Sequence, residues 1–328
     1  MNEVKHLKKI LILFGGNSYE HEISCKSAKT ILENIDKTKF DITSVGIYKN
    51  NWYIFNDNLY LLTQNKWLEG NITKINNIIE FLKTFDKVFP IIHGNTGETG
   101  DLSGLFNLFN IPYVSSNIKG HAISYDKELT KIICSYHNIP QIPYITIHSN
   151  KKIKKINIDF PVIIKPSSCG SSIGINIANN YKELNKYIKI AFKYDNKIII
   201  EKFIKARELE CSILENKNKL IVSTVGEIKS QNTFYDYESK YILDSNILIP
   251  TNINKEIIKQ IQELSQKIFK ILSLKDLSRI DFLYDYENNL IYFNEVNTIP
   301  GFTDISMYPK LFNYQGISTE ELITKLLS

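Results

Sequence analysis

The stretch Arg279-Ile280-Asp281-Phe282, followed by Asn294-Glu295-Val296-Asn297-Thr298-Ile299-Pro300-Gly301, decides how this chain is read. The runs around 279–285 and 290–297 are apolar and β-prone, and Glu287-Asn288-Asn289 supplies a turn between them. A hairpin folded about Asn288 sets Asp281 opposite Glu295 and Arg279 opposite Asn297. Side chains alternate faces along a strand, so all four share one face. Two carboxylates and an amide oxygen there suit Mg²⁺, a hard cation that takes oxygen ligands and often bridges to phosphates. A solvated antiparallel pair with incidental facing charges fits the same letters. The arginine argues against it, because of 40 lysines and arginines only Arg207 and Arg279 are arginine. A chain this committed to lysine places arginine where a planar, permanently charged fork is needed.

At 328 residues the chain is long for one core, and two or three domains are expected. A hydrophobic content of 43% and a charged content of 23% are those of an ordinary globular protein. The net charge of +5 is spread along the chain rather than gathered on a basic stripe, which argues against a nucleic-acid partner. Cys25, Cys134, Cys169 and Cys211 are scattered without a C-x-x-C pair, as expected for reduced thiols. The apolar run Ile10 to Phe14 is too short for a signal peptide's core. No segment approaches the roughly 20 apolar residues of a membrane span, so a cytoplasmic protein is expected.

Residues 8–14 read as a buried strand, followed by a Gly15-Gly16 turn, a helix over 24–34 and a strand near 41–48. A polar, Asn-rich stretch with short β-like pieces follows to about residue 71, and 49–80 carries no motif. A short strand at 87–92 runs into His93-Gly94-Asn95-Thr96-Gly97-Glu98, and Ile111 to Ser116 closes this first unit. Strand, glycine turn and helix in alternation suggest a parallel α/β sheet with ligand loops at the strand C-terminal ends. A helix over 125–137, a strand at 160–166, a helix at 181–194 and a strand at 197–201 build the second unit. Strands near 208–214 and 220–228, an aromatic loop at 230–245, a helix at 254–272 and the hairpin build the third.

Lys165 ends a β-run and precedes Ser167-Ser168-Cys169-Gly170-Ser171-Ser172-Ile173-Gly174. Such loops present N–H groups and hydroxyls to anions while an ammonium neutralises phosphate charge, although a surface turn has the same composition. Glu201-Lys202-Phe203-Ile204 leaves a strand into a linker, with Glu208 following. It fits either a nucleoside-holding segment or a charged connector.

Taken together, these motifs resemble the ATP-grasp fold and, more closely, the D-alanine–D-alanine ligase family. The blocks carrying the resemblance are GGNSYEHEIS (15–24), HGNTGETGDLSG (93–104), DKELTK (126–131), PVIIKPSSCGSSIG (161–174) and EKFIKARELE (201–210). They continue with TFYDYESKY (233–241), SRIDF (278–282) and FNEVNTIPGFTDISMYP (293–309). The resemblance implies an α/β chain, α+β in its ATP-binding part. A Rossmann-like domain would span 1–116, a central ATP-grasp subdomain 117–201 and a C-terminal one 202–328.

It also implies roles. Lys127 and Lys165 would bind the phosphates of ATP, with Ser171 and Lys240 beside them. Glu201, Lys202, Ile204 and Glu208 would hold the nucleoside, and Phe234 would cover it. Asp281, Glu295 and Asn297 would bind two Mg²⁺, or Mn²⁺, with Glu295 bridging. Glu20 would receive the ammonium of the first D-alanine, linked to Ser171 and Tyr241, and His93 would join that pocket. Ser306 and Met307 would hold the second carboxylate, and Arg279 with the Gly301 N–H would form the oxyanion site. Read alone, Glu20 and Glu22 fit a helix N-terminus better than a substrate site, and Arg207 fits a surface pair with Glu201 or Glu210.

The implied activity is ligation of two D-alanines with ATP for peptidoglycan synthesis, by a homodimer. A carboxylate must attack an anionic phosphate, and cations lower that repulsion. The acyl phosphate must be shielded from water, which makes the 167–174 and 230–245 loops expected lids. D-lactate or D-serine as second substrate, a non-catalytic nucleotide-binding module, and a dinucleotide oxidoreductase are the competing readings. Tyr241 favours an amine acceptor over the lactate type by the same resemblance. The oxidoreductase lacks the full G-x-G-x-x-G.

Overall fold

The computed structural model of the chain describes residues 7–149, 156–229 and 246–328. Among these, the strands form three sheets. In the first, β1 (Lys8–Gly15) runs parallel to β2 (Phe40–Tyr48) and to β5 (Lys87–Pro90). Ile10 to Phe14 are wholly buried, as a strand covered on both faces requires. The parallel sheet expected from the sequence is therefore present at its centre. Its edge is antiparallel, because β3 (Asn51–Phe55) and β4 (Ile72–Lys74) fold back from β2. That edge is made by the stretch in which no motif is legible. The same stretch buries Trp67 against Gly46, where a Cβ would lie 2.5 Å from the indole.

Helix α1 (His21–Asn34) follows the Gly15-Gly16 turn and buries Ile23, Ala28, Ile31 and Leu32. Short helices α2 (Tyr60–Thr63) and α3 (Ile78–Leu82) and then α4 (Asp101–Leu108) complete this part. The helix expected over 125–137 is α6 (Lys127–Tyr136), and a further helix not expected from the sequence, α5 (Ile118–Tyr125), precedes it. Asp126 between them is extended, and its carboxylate accepts from the N–H groups of Glu128 and Leu129. A capping aspartate restarts the helix rather than continuing it.

The second sheet orders β6 (Tyr144–His148), β9 (Lys197–Lys202), β7 (Val162–Pro166) and β8 (Asn176–Ala178), all antiparallel, with α7 (Tyr181–Ala191) packed on it. The third orders β12 (Asn246–Leu248), β11 (Lys219–Lys229), β10 (Arg207–Asn216), β13 (Leu277–Asp285) and β14 (Leu290–Asn297). Helix α8 (Lys255–Ile271) covers one face through Ile257, Ile261, Ile268 and Phe269, a spacing that keeps one apolar stripe. Helices α9 (Met307–Tyr314) and α10 (Thr319–Leu327) return toward the first sheet. Tyr308, Phe312, Leu322 and Leu326 share a core with Ile10, Phe14 and Ile31. The chain's last helices therefore brace the first strand. Among the described residues no helix is long and apolar enough to cross a membrane.

Candidate active site

In the hairpin of β13 and β14, Asp281 lies opposite Glu295 and Arg279 opposite Asn297. The route to this pairing differs from a simple fold about Asn288. From Asp285↔Leu290 to Phe282↔Phe293 the strands pair in one register, then Asp281 pairs with Glu295, leaving Asn294 as a bulge. The extra residue reverses the alternation. Ile291 and Phe293 face the core with Val296, whereas unbroken alternation would have sent Glu295 and Asn297 into that core. The bulge turns both toward the cavity instead.

Arg279 binds Asp281 through both arms of its fork, Nε to Oδ1 and Nη2 to Oδ2, each at 2.8 Å. Its Nε is also 2.9 Å from Glu210 Oε2 on the neighbouring strand. Burial opposes the arginine's charge, but Asp281 and Glu210 outweigh it and hold its pKa above the ordinary range. Asn297 Nδ2 donates to Asp281 Oδ2 at 3.1 Å. The face presents two carboxylates and one amide, charge-compensated by Arg279 and by Lys127, whose Nζ stands 3.7 Å from Glu295 Oε2. Among the described residues no cluster of three or more His, Cys, Asp or Glu gathers as a metal site. A hard cation would find oxygen donors here but depend on its substrate for the rest of its shell.

Two cavities meet at this face. The larger, about 600 Å³, is lined by Lys165, Glu201, Lys202, Ile204 and Glu208, bringing together most of the residues expected to hold a nucleotide. The smaller, about 160 Å³, is lined by Glu20, His93, Ser171, Arg279, Gly301, Ser306 and Met307, the residues expected around the amino acids. Glu208, Leu283, Asn294 and Glu295 line both. Lys127 lies on the wall of the smaller cavity and donates to Cys169 O at 2.7 Å, which ties it to the serine-rich loop.

Glu20 stands at the N-cap of α1, yet its side chain makes no capping bond. Ser171 Oγ donates to its Oε1 at 2.5 Å. Gly94 and Gly170 crowd the carboxylate, since a Cβ on either would come 2.7 Å and 3.1 Å from Oε2. The glycines let two backbones close on one acid. His93 Nδ1 lies 2.8 Å from Ile299 O, which can only accept, so that nitrogen carries the proton. Burial lowers the pKa of His93 and keeps it neutral. Gly301 packs against Ser306 Oγ, which accepts from Thr303 N at 3.0 Å. Ser306 is the N-cap of α9 and Met307 its first residue, where helix N–H groups favour an anion.

Three residues in or beside the site are given no role by the sequence, and a fourth, Arg207, finds a partner other than those expected. Glu98, at the end of HGNTGE, accepts from Gly94 N, Thr298 N and Ile299 N, and so pins the segment leading to Gly301. Lys131, the last letter of DKELTK, is 2.6 Å from Glu201 Oε1. Glu210, in RELE, holds Arg279 as described. Arg207 pairs with neither Glu201 nor Glu210 but with Glu227, which lines the larger cavity beside it. Phe234, Lys240 and Tyr241 lie outside the described residues, with the rest of the 230–245 loop.

Known proteins share this architecture. A family model described as D-ala D-ala ligase N-terminus matches residues 9–116, and one described as D-ala D-ala ligase C-terminus matches residues 133–328. A D-alanine–D-alanine ligase of Caldicellulosiruptor bescii is 40% identical, covering 98% of this chain and 94% of its own. Among solved structures, the VanG D-Ala:D-Ser ligase of Enterococcus faecalis superposes with a TM-score of 0.86 at 34% identity, covering 98% of this chain and 99% of its own. The D-alanine–D-alanine ligase of Coxiella burnetii superposes with a TM-score of 0.84 at 31% identity, covering 98% and 94%.

Proposed function

The chain belongs to the D-alanine–D-alanine ligase family, and we propose on that premise that it joins two D-alanines, converting ATP to ADP and phosphate, for peptidoglycan synthesis. The observation that carries this reading is the shared wall of the two cavities. One charged face, with Glu295 and Asn294 on both sides, borders a nucleotide-sized space and an amino-acid-sized one. An acid and a phosphoryl donor held in those spaces meet at that wall.

In this reading Glu20, held by Ser171, receives the ammonium of the first D-alanine and directs its carboxylate to the wall. A carboxylate oxygen attacks the γ-phosphorus of ATP, the bond to the β-phosphate oxygen breaks, and ADP departs with the electron pair. Lys127 and Lys165 offset the phosphate charge during that transfer. Asp281, Glu295 and the amide oxygen of Asn297 would hold Mg²⁺, two ions with Mn²⁺ as a substitute, and the bound cation would neutralise phosphate charge. The second D-alanine, its carboxylate at Ser306 and the α9 N-terminus, attacks the acyl carbon with its amine. Arg279 and the Gly301 N–H receive the oxyanion, and phosphate leaves. Phe234, Lys240 and Tyr241 keep their family roles as cover, phosphate partner and link to Glu20. Glu201, Lys202, Ile204 and Glu208 hold the nucleoside.

The three-unit division at 1–116, 117–201 and 202–328, a homodimer and a cytoplasmic location belong to the same proposal. D-Serine as second substrate is the one competing reading with a specific observation behind it, the likeness to the Enterococcus faecalis enzyme. The curated relative at higher identity favours D-alanine. Mass analysis of the product from Mg-ATP, D-alanine and an equal amount of D-serine tests this. D-Alanyl-D-alanine as the main product is expected, and a mixed dipeptide as main product would overturn it.

A further inference from the structure

Glu201 is sealed from solvent, with its side chain 1% exposed, and carries two ammonium partners. Lys131 Nζ lies 2.6 Å from Oε1 and Lys165 Nζ 2.7 Å from Oε2. A buried carboxylate needs compensation, but one cation at hydrogen-bond distance already balances its charge. The second leaves the cluster with a surplus of one positive charge.

The surplus has a direction. Lys165 lines the larger cavity and also donates to Asn294 Oδ1 at 3.1 Å, on the shared wall. Lys131 does not line that cavity; its side chain is 3% exposed, and its ammonium lies 5.3 Å from the Tyr144 ring centroid. It therefore reaches Glu201 from behind. Burial lowers the pKa of Lys131, and Glu201 works against that shift. The Glu201 carboxyl is opposed by burial but is held down to about 2 by Lys165 and Lys131.

We propose that Lys131 is a positioning residue for nucleotide binding, neutralising Glu201 from behind so that the charge of Lys165 is left for the phosphates of ATP. The inference rests on the reading of the larger cavity as the nucleotide site. Without Lys131, Lys165 becomes the sole counter-ion of a buried carboxylate, and the cavity loses its surplus charge. Nothing in this role touches D-alanine, which sets it apart from a general structural contribution.

Calorimetry of Mg-ATP and Mg-ADP binding to the whole protein tests it, with steady-state kinetics alongside. K131M is expected to weaken both nucleotides by roughly tenfold or more, as loss of a net charge beside phosphate implies, with KM for D-alanine little changed. E201Q removes the carboxylate that draws on Lys165, and any direct contact of Glu201 with nucleotide cancels when K131M/E201Q is compared with E201Q alone. In that background K131M is expected to change nucleotide affinity by less than about threefold, which the loss of an ordinary packing contact would not allow. K131M binding like the unaltered protein, or K131M weakening nucleotide as much in the E201Q background as in the unaltered one, overturns the proposal. Should K131M fail to fold, K131M/E201Q against E201Q decides alone, and a loss of roughly tenfold or more overturns the proposal. An unaltered protein that binds no Mg-ATP would remove the nucleotide reading itself, and this inference with it.

Discussion

Ser171 Oγ donates to Glu20 Oε1 at 2.5 Å, joining side chains 151 residues apart in sequence. The bond links the serine-rich loop to the acid at the start of α1. It holds that acid toward the smaller cavity rather than toward the helix it precedes. S171A removes the donor and leaves both backbones in place. A hydrogen bond to a charged group contributes roughly 1.5–3 kcal/mol, so kcat/KM for D-alanine should fall about 10–100-fold. The loss should fall on the KM for the first D-alanine more than on that for ATP, which initial-rate kinetics with each substrate varied will separate.

Arg279 grips Asp281 with two parallel bonds and Glu210 with a third contact, a geometry that needs a planar fork. R279K keeps the charge but makes a single point contact. We expect kcat to fall by about 10²–10³, the usual cost of losing an oxyanion donor, with KM for ATP changed far less. A kcat within threefold of the unaltered enzyme would remove Arg279 from the oxyanion site.

Burial, with the negative charge of Glu20 nearby, pushes the Glu98 carboxyl from 4.5 up to about 7. The folded protein then holds a proton between those values that the unfolded chain has lost. Stability from this group therefore falls as pH rises from about 4.5 to 7 and levels off above. The full effect is at most about 3 kcal/mol. E98Q cannot ionise, so the difference in denaturant stability between variant and unaltered protein should change across that window in E98Q's favour. His121, held down to about 4 by burial, contributes the opposite slope to both proteins and cancels in the comparison. A pH-independent difference would place the Glu98 pKa outside this range.

Asp126 caps α6 and also accepts from Ser167 Oγ at 2.9 Å and Lys197 Nζ at 2.5 Å. D126A removes the cap and leaves Glu128 as the remaining carboxylate partner of Lys197. Cap loss alone costs about 1 kcal/mol, and the lost ion pair brings the expected total to roughly 2. Urea unfolding measures it, and Lys127, at the first position of α6, should bind nucleotide less well in the same variant.

Much of the fold and the site is legible in the sequence, for reasons that differ by element. Ile10 to Phe14 is an apolar run between polar flanks, and it forms the buried central strand. The pairing of Asp281 with Glu295 is legible too, but the bulge at Asn294 is not. A register count about one turn residue reaches the same pair by symmetry, while the physical cause is one unpaired residue that reverses strand alternation. The antiparallel edge from 49–80 is legible only as short β-like pieces, because strands of five and three residues carry little periodicity, although the two-residue Lys49-Asn50 turn is a hairpin signal. The helix after Asp126 is legible to within two residues, while α5 before it and the break at Asp126 are missed, although an aspartate before Lys-Glu is a capping signal. Lys131, Glu98 and Glu210 all stand inside the quoted motifs. Their roles escape a linear reading because their partners, Glu201, the Thr298–Ile299 backbone and Arg279, come from distant parts of the chain.

The most direct test of the central claim uses D-alanine labelled with ¹⁸O in both carboxylate oxygens, Mg-ATP, and mass analysis of dipeptide and phosphate together. Attack of the carboxylate on the γ-phosphorus puts one labelled oxygen between carbon and phosphorus, and it leaves with phosphate when the second amine attacks the acyl carbon. One ¹⁸O in the phosphate for each D-alanyl-D-alanine formed, with ADP as the nucleotide product, is the predicted result. Dipeptide formed with unlabelled phosphate, or with AMP and pyrophosphate, would contradict the acyl-phosphate route; phosphate release without dipeptide would contradict the ligase.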